Sequence, residues 1–391
     1  MSNPLAIYLH IPFCRTKCTY CAFNTYTNQD QLFEPFVAAL CREIELVGQS
    51  APDRRAGSVF LGGGTPSLLR PEQIAQVLDA VRAAFDLSAA AEISLEANPN
   101  DITPVYARGL QQAGVNRISI GMQSANGNEL ALFARRHDND QTARAVSAAR
   151  AAGFENLNLD LIYGVPHQTR DNWAWSLEQM LALQPDHVSL YALGLEEGTP
   201  MQSWVARGQL PAPDDDLAAD MYELATDLLA GAGYSQYEIS NWSKPGYECQ
   251  HNLQYWRNLP YLGLGPGAHG YAGGQRYAVL LSPLRYIRTL GDAAGGEARG
   301  YPLSPAADPD TVVQVDYRSE AAETLIMGLR LTREGIDRRQ FRARFGVDLL
   351  DMHRPVIERY AQYGLLAVTE QQVRLTRAGR LLSNTIFRDL V

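Results

Sequence analysis

The chain has 391 residues, of which 46 % are hydrophobic and 20 % are charged. This composition is typical of a folded globular protein and excludes a disordered or fibrous chain. The net charge of −9 weighs against nucleic acid as a main partner, because a polyanion selects a basic surface. No apolar run reaches about 18 residues and the first residues carry no basic leader, so we expect a cytoplasmic protein without a membrane-spanning helix.

Strand-like and helix-like segments alternate along the first half of the chain. Short β-branched runs predict strands at Ala6–Ile11, Ser58–Leu61, Glu92–Glu96, Arg117–Gly121, Asn156–Gly164 and His187–Leu193. Between them, amphipathic or well-capped segments predict helices at Leu32–Val47, Pro71–Phe85, Thr103–Ala113 and Asp138–Ala152. Such a βα repeat predicts parallel strands. We therefore expect an α/β fold, a partial (β/α)6 TIM-like barrel with its chemistry at the carboxyl ends of the strands.

Three of the five cysteines, Cys14, Cys18 and Cys21, lie within eight residues just after the first predicted strand. In a reducing compartment such a cluster indicates metal or redox chemistry and not disulfides. A structural zinc site closes with a fourth Cys or His, whereas Phe23 follows here; a partial zinc knuckle and a chance cluster remain alternatives. Three thiolates suit a four-iron cluster that keeps one iron open. S-adenosylmethionine can chelate such an iron and supplies radical chemistry.

Polar residues collect where the predicted strands end. The run Gly62–Ser67 lets a ligand approach the backbone closely, although a glycine run is more often a simple turn. Glu96 can accept hydrogen bonds from ribose hydroxyls or pair with Arg117, and Asp160 in its apolar run needs a partner. The arginine pair Arg135–Arg136 can bind a cofactor carboxylate as a fork or stay solvated at a helix end.

The cysteine spacing resembles the radical S-adenosylmethionine (radical SAM) superfamily. Further blocks resemble its oxygen-independent coproporphyrinogen III oxidase group, in the order YLHIPFC, GGGTPS, EANP, RISIGMQS and NLDLIYGVP. The resemblance implies that Cys14, Cys18 and Cys21 bind a [4Fe-4S] cluster. It implies that S-adenosylmethionine is held by Tyr8, Gly64, Thr65, Pro66, Glu96, Gln123, Arg135 and Asp160, with Arg135 preferred to its neighbour for its distance of twelve residues from the Gln of the GMQ block.

Two branches of this group differ two places after the third cysteine. The decarboxylating oxidases carry a fourth cysteine there and a longer N-terminal extension, whereas this chain has Phe23 and seven residues before Tyr8. The haem chaperone branch, HemW, has the Cys-x-Phe pattern and a His-Asn-x-x-Tyr-Trp motif, here HNLQYW at His251–Trp256. The resemblance therefore implies a protein that binds haem and delivers it to apo-haemoproteins, respiratory and membrane-associated recipients included. Radical decarboxylation of coproporphyrinogen III is the alternative, so enzyme activity beyond cleavage of S-adenosylmethionine stays open.

Three residues are candidate haem ligands. An imidazole can bind haem iron, and aromatic rings can pack on a porphyrin face, which favours His251. Cys249 offers a thiolate, and His269 follows a glycine-rich loop. Each of the three can instead be an ordinary core or hydrogen-bonding residue, and the resemblance to the haem chaperone branch gives His251 preference.

The last part of the chain predicts a second domain. A segment rich in Gly, Ala and Pro, about Gly291–Asp310, predicts a linker. Beyond it the pattern predicts helices and a β-hairpin at residues 364–376, which resembles the group's small C-terminal α+β domain of winged-helix character. We expect a barrel domain at 1–235, a haem-motif extension and linker at 236–305, and the C-terminal domain at 306–391. Arg318–Val391 holds thirteen arginines and nine acids, yet the resemblance favours a lid or a docking surface, and we expect no nucleic-acid partner.

Overall fold

The structure is a computed structural model that describes residues 4–291 and 300–390. Within these ranges the strands are β1 (Leu5–Ile11), β2 (Phe13–Cys14), β3 (Tyr26–Thr27), β4 (Arg55–Gly63), β5 (Asp86–Ala97), β6 (Arg117–Gln123), β7 (Asn156–Tyr163), β8 (His187–Ala192), β9 (Ser235–Glu238), β10 (Asn241–Ser243), β11 (Tyr261–Leu264), β12 (His269–Ala272), β13 (Gln275–Ala278), β14 (Val313–Gln314), β15 (Ile336–Asp337), β16 (Leu366–Val368) and β17 (Gln372–Leu375).

The helices pack around these strands. They are α1 (Phe33–Ser50), α2 (Pro71–Ala84), α3 (Pro104–Ala113), α4 (Gly127–Leu132), α5 (Asn139–Ala151), α6 (Arg170–Ala182), α7 (Pro200–Ala206), α8 (Asp215–Gly231), α9 (Gln250–Trp256), α10 (Pro283–Gly291), α11 (Tyr317–Leu329), α12 (Arg338–Phe345), α13 (Leu349–Gln362), α14 (Arg377–Leu381) and α15 (Ser383–Asp389). No helix within the described ranges is long and apolar enough to cross a membrane.

Local sequence explains the helix boundaries of the repeat. Thr103 accepts a hydrogen bond from the amide of Tyr106 and so caps the start of α3. The same helix ends at Gly114, whose φ of +98° is a left-handed conformation that glycine adopts without strain. Asp138 caps α5 in the same way as Thr103 caps α3. The predicted helices of the repeat are confirmed to within a few residues at each end.

A mixed sheet of twelve strands forms the centre of the barrel unit in the described residues. Its strand order is β14-β13-β12-β11-β1-β4-β5-β6-β7-β8-β10-β9, and the run from β11 to β8 is parallel. The six predicted strands are therefore confirmed as successive neighbours, β1 and β4 to β8. The two edge strands β9 and β14 do not pair with each other within the described chain, so the barrel is open and partial. The apolar core lies between this sheet and the helices outside it, as buried parallel strands require.

The C-terminal residues form a smaller unit with a core of their own. Strands β15, β17 and β16 make a three-stranded antiparallel sheet, and β16–β17 is the predicted hairpin. Helix α11 and helices α12 to α15 cover it around buried apolar residues such as Leu325, Phe341 and Leu375. Helix α13 has a kink at His353, ahead of Pro355. The predicted small α+β domain is confirmed.

The predicted linker is more ordered than its composition indicates. Residues 292–299 of it lie outside the described ranges. In the remainder, Ser304 is buried and donates a 2.5 Å hydrogen bond to Glu43 of α1, and Ala306 is fully buried. Strands β11 to β14 likewise join the barrel sheet although the sequence assigns them to the extension or beyond. The boundaries at 235 and 305 remain predictions.

Candidate functional site

One cavity of about 840 Å³ opens at the carboxyl ends of the parallel strands. Nearly all of the predicted site residues line it, namely Tyr8, Cys14, Cys18, Cys21, Gly64, Thr65, Glu96, Gln123, Arg135, Asp160 and His251. Pro66 is the exception, because it is buried at the start of a short 3₁₀ turn and does not line the cavity. In barrels of this kind the active site lies at the carboxyl ends of the strands. Here those ends bring together residues that are up to 243 positions apart in the sequence.

The three cysteines lie together on a partly exposed loop after β1. Burial raises the pKa of Cys14 and Cys21, and the neighbouring thiols raise it further because thiolates repel one another. Thr65 donates to the Cys14 sulfur at 3.4 Å, and Arg135 donates to the Cys18 sulfur at 3.6 Å. A bound cationic metal centre would reverse this raising of the pKa, since metals bind the thiolate form.

The spacing of the thiols bears on which centre they suit. In residues 4–291 and 300–390, no group of three or more His, Cys, Asp or Glu side chains is close enough to hold a single metal ion. A zinc site needs such a group, whereas in a four-iron cluster each thiolate binds a different iron. Three thiolates on one loop are a donor set that a four-iron cluster can use, with one ligand for each of three irons.

The glycine run is pressed against the cysteine loop. The amide of Gly64 donates to Ile11 and that of Thr65 to Phe13, each at 2.8 Å. A side-chain carbon at Gly64 would stand 2.6 Å from the Phe13 carbonyl oxygen, so only glycine fits there. This close packing explains why the run contains glycine, and it places the backbone of the run beside Cys14.

The two carboxyl groups of the site have different partners. Glu96 accepts from the amide of Gly63 at 3.1 Å, and no ion pair joins it to Arg117 in the described chain. Burial, aided by the charge of Asp160, raises the pKa of Glu96 to about 7. Asp160 accepts from Asn158 at 2.7 Å and from Ser119 at 3.2 Å, which supplies the partners that its apolar run requires.

Arg135 has free hydrogen-bonding capacity beside the cysteine loop. One of its terminal nitrogens donates to the Gly121 carbonyl at 2.7 Å, while its buried Nε has no acceptor in the described structure. The carboxylate of a cofactor such as S-adenosylmethionine could accept from that donor. Arg136 also lines the cavity but is exposed, whereas Arg135 is partly buried and contacts the Cys18 sulfur.

His251 lies on α9 at the inner end of the cavity, and both of its ring nitrogens are engaged. Nδ1 is 2.9 Å from the Ser58 hydroxyl and Nε2 is 2.7 Å from the Tyr255 hydroxyl. Burial lowers the pKa of His251 to about 3, so the ring is neutral near pH 7, as an iron ligand must be. Of the rival ligands, Cys249 is fully buried and His269 is exposed on β12, and neither lines the cavity.

Two family models match the chain. The radical SAM superfamily model matches residues 8–180, and the HemN C-terminal domain model matches residues 316–382. Proteins called heme chaperone HemW from Mycobacterium tuberculosis H37Rv, Escherichia coli K12 and Bacillus subtilis 168 are 39 %, 36 % and 35 % identical to it. These alignments cover 100 %, 98 % and 97 % of this chain and 95 %, 97 % and 97 % of the relatives. The chain belongs to the HemW family of radical SAM proteins.

The fold of this HemW-family chain also matches a solved structure. Coproporphyrinogen III oxidase (HemN) from Escherichia coli superposes with a TM-score of 0.83 at 23 % identity, over 100 % of this chain and 90 % of that one. At that identity the likeness concerns the fold, which is a radical SAM barrel with a small C-terminal domain.

Several cavity residues of this HemW-family chain were not predicted as site residues from the sequence. They are Ser119, Asn158 and Ser189 on the inner face of the barrel, with Tyr20, Asn252 and Tyr255 beside them. The signal for the first three is the period of two along a strand. It puts Ser119 on one face with Arg117, Asn158 with Asp160, and Ser189 with Tyr191. Asn252 and Tyr255 belong to the HNLQYW motif, but their location at the cavity could not be predicted from the sequence.

Proposed function

We propose that this protein is a radical SAM haem chaperone, which binds a [4Fe-4S] cluster, S-adenosylmethionine and haem and delivers haem to apo-haemoproteins. The observation that carries the proposal is a single cavity lined at its mouth by Cys14, Cys18 and Cys21 and at its inner end by His251 and Tyr255. The full-length relationship to proteins named heme chaperone HemW supports the same function. Respiratory haemoproteins are the proposed recipients, and the cytoplasm is the proposed location.

The residues at the mouth have proposed roles that follow from their chemistry. The three thiolates would hold the cluster, and S-adenosylmethionine bound to its open iron is a source of radical chemistry. Arg135 would orient the cofactor carboxylate, and Glu96 the ribose hydroxyls. Tyr8, the Gly64–Thr65 backbone, Gln123 and Asp160 would complete the cofactor wall.

Haem binding is proposed at His251 and requires a local exchange of partners. The Tyr255 hydroxyl occupies Nε2, and the Ser58 hydroxyl holds Nδ1 and so fixes the ring orientation. Iron would replace Tyr255 at Nε2, while Ser58 remains in place. A ligand that must displace a hydrogen bond binds less tightly, which suits a protein that has to release its haem.

The second candidate function is oxygen-independent coproporphyrinogen III oxidase. The fold shared with HemN and the cofactor-type pocket favour it. Phe23 speaks against it, because this ring is 68 % exposed at the cavity rim where the oxidase branch is expected to carry a fourth cysteine. A chaperone can also cleave its cofactor as a gate for transfer, so cleavage alone does not separate the two functions.

An anaerobic turnover assay separates them. Cluster-reconstituted protein is incubated with reductant, S-adenosylmethionine and coproporphyrinogen III, and the porphyrin products are separated by chromatography. In parallel, haem is titrated and followed by absorbance. The proposal predicts one haem bound per chain and no catalytic formation of protoporphyrinogen. Catalytic protoporphyrinogen formation without haem binding would make the protein an oxidase.

A further inference from the structure

Arg117 is a charged side chain enclosed by the barrel. It is the first residue of β6, only 2 % of its surface is exposed, and its side chain lines the same cavity as His251. Its Nε meets no hydrogen-bond acceptor in the described chain, although a guanidinium has five N–H donors. Enclosing a charge without a partner is costly. Arg117 is therefore a buried cation with hydrogen-bond donors available for a ligand.

The acidic groups around Arg117 are engaged elsewhere. Glu92 accepts from the first two amides of α9, at 3.0 and 3.2 Å, and from the thiol that precedes them. Asp160 accepts from Asn158 and Ser119. Both carboxyl groups act on Arg117 through their charge, and neither forms an ion pair with it in the described structure. They stabilise the cation in place and leave its donors available.

We propose that Arg117 is the binding site for one carboxylate of the ligand that occupies the inner end of the cavity. This inference rests on the proposed function, under which the ligand is haem and the carboxylate is a propionate. Arg117 and His251 then form a two-point site, one for the carboxylate and one for the iron.

The charge around Arg117 selects a single carboxylate over a more highly charged anion. Glu92, Glu96 and Asp160 all act on Arg117 through their charge, and they would repel a phosphate dianion bound to it. A carboxylate carries one charge and matches the planar fork of a guanidinium.

Two arginines of the cavity, Arg135 and Arg117, are available for the carboxylates of two different ligands. Arg135 donates to the Cys18 sulfur and so belongs to the cofactor end. Arg117 is the first residue of β6 and so lies at the amino end of the strands, away from the cysteine loop that follows the carboxyl end of β1. Its charge also acts on His251 of α9. Two ligands that each carry a carboxylate therefore meet two separate cations.

The test compares haem with haem dimethyl ester, which keeps the ring and iron and lacks both carboxylates. Dissociation constants of both are measured by absorbance titration for wild type, Arg117→Gln and Arg117→Lys. Arg150→Gln is the control, because Arg150 is a barrel arginine outside the cavity that pairs with Asp186. Thermal unfolding of each variant reports its folding.

Wild type and the control are expected to bind haem about tenfold more tightly than the diester, as loss of a charge-assisted hydrogen bond requires. Arg117→Gln should lose that preference while binding the diester as wild type does, and Arg117→Lys should keep part of it. Equal binding of haem and diester by wild type overturns the inference, and this reading stands even if Arg117→Gln does not fold. An unchanged preference in Arg117→Gln, or equal weakening of both ligands, also overturns it. Failure of wild type to bind either ligand would instead contradict the proposed function.

Discussion

At the residue scale, Glu96 shows how burial sets the charge of the site. With its pKa raised to about 7 from its usual value near 4.5, the folded protein holds a proton that the unfolded chain releases across that pH range. The free energy of unfolding must therefore fall as pH rises from about 4.5 to about 7. A cationic cofactor beside this carboxyl would favour its charged form and reduce that loss.

Glu96→Gln is expected to stabilise the cofactor-free protein at pH 8 by at most about 3 kcal/mol, with little change at pH 5. The reason is that the amide cannot ionise and still accepts from the Gly63 amide. Urea denaturation at the two pH values measures it, with Glu178→Gln on the exposed face of α6 as the control. An equal effect at both pH values would show that Glu96 is not the titrating group.

Tyr255 is the second residue whose contact has a measurable consequence. Tyr255→Phe removes the hydroxyl that occupies His251 Nε2 and is expected to tighten haem binding by roughly two- to tenfold, the worth of one hydrogen bond. Tyr261→Phe is the matched control. The Tyr261 ring packs on Tyr255 with 4.6 Å between the ring centroids, and Tyr255 lies between it and the imidazole. Weaker haem binding by Tyr255→Phe would exclude competition at Nε2.

The position of Cys14, Cys18 and Cys21 at the cavity could be predicted from the sequence, because they lie close together just after the first strand. The partners of Arg117 and His251 could not. The Ser58–His251 hydrogen bond joins residues 193 positions apart, and Glu92, whose charge acts on Arg117, is engaged by a helix 158 positions further along the chain.

At the element scale, one carboxylate anchors the N-terminus of α9. Glu92, in the middle of β5, accepts from the amides of Gln250 and His251 and from the Cys249 thiol. These amides are among those that a helix cannot satisfy internally, so a single side chain fixes where the HNLQYW segment begins. The orientation of His251 toward the cavity follows from that attachment.

Glu92→Ala is expected to destabilise the protein by about 2 kcal/mol, because it leaves two inward-facing amides without an acceptor. Hydrogen exchange should accelerate at Gln250 and His251 more than elsewhere. Asp138→Ala, which removes the cap of α5, should accelerate exchange at α5 and leave α9 unchanged. Unchanged exchange of α9 in Glu92→Ala would mean that another group holds this helix.

Strands and helices with a hydrophobic pattern over many residues could be predicted from the sequence. Short strands near the edge of the sheet could not. The parallel strands carry apolar side chains at alternate positions, as in RISIGMQ of β6 and NLNLDLIY of β7, so their positions follow from the sequence. Strand β11 has four residues and is defined by its parallel pairing with β1, about 250 positions earlier. Such a strand depends on its tertiary partner and has little local signal.

At the scale of the whole molecule, α9 also joins the barrel to the C-terminal unit. The Arg330 guanidinium stacks on the Trp256 ring at 4.4 Å, and Arg257 pairs with Glu334 at 2.7 Å. The amide of Thr332 donates to the carbonyl of the barrel residue Tyr237 at 3.0 Å. One side of the HNLQYW segment therefore faces the cavity and the other side contacts the second unit.

Trp256→Ala is expected to loosen the C-terminal unit while the barrel stays folded, with a loss of about 2 kcal/mol from the lost packing and cation–π contact. Limited proteolysis should cut the chain faster between the barrel and α11. The control is Trp175→Ala, which removes a tryptophan 42 % exposed on α6. Equal rates of cleavage in both variants would show that Trp256 does not hold the units together.

The most direct measurement of haem delivery is the rate at which haem passes from the loaded, cluster-reconstituted protein to the apo-form of a b-type respiratory haemoprotein. Delivery by contact predicts a rate that increases with the concentration of the recipient and exceeds release to a non-interacting scavenger. A rate equal to spontaneous release at every recipient concentration would contradict a chaperone function for this chain.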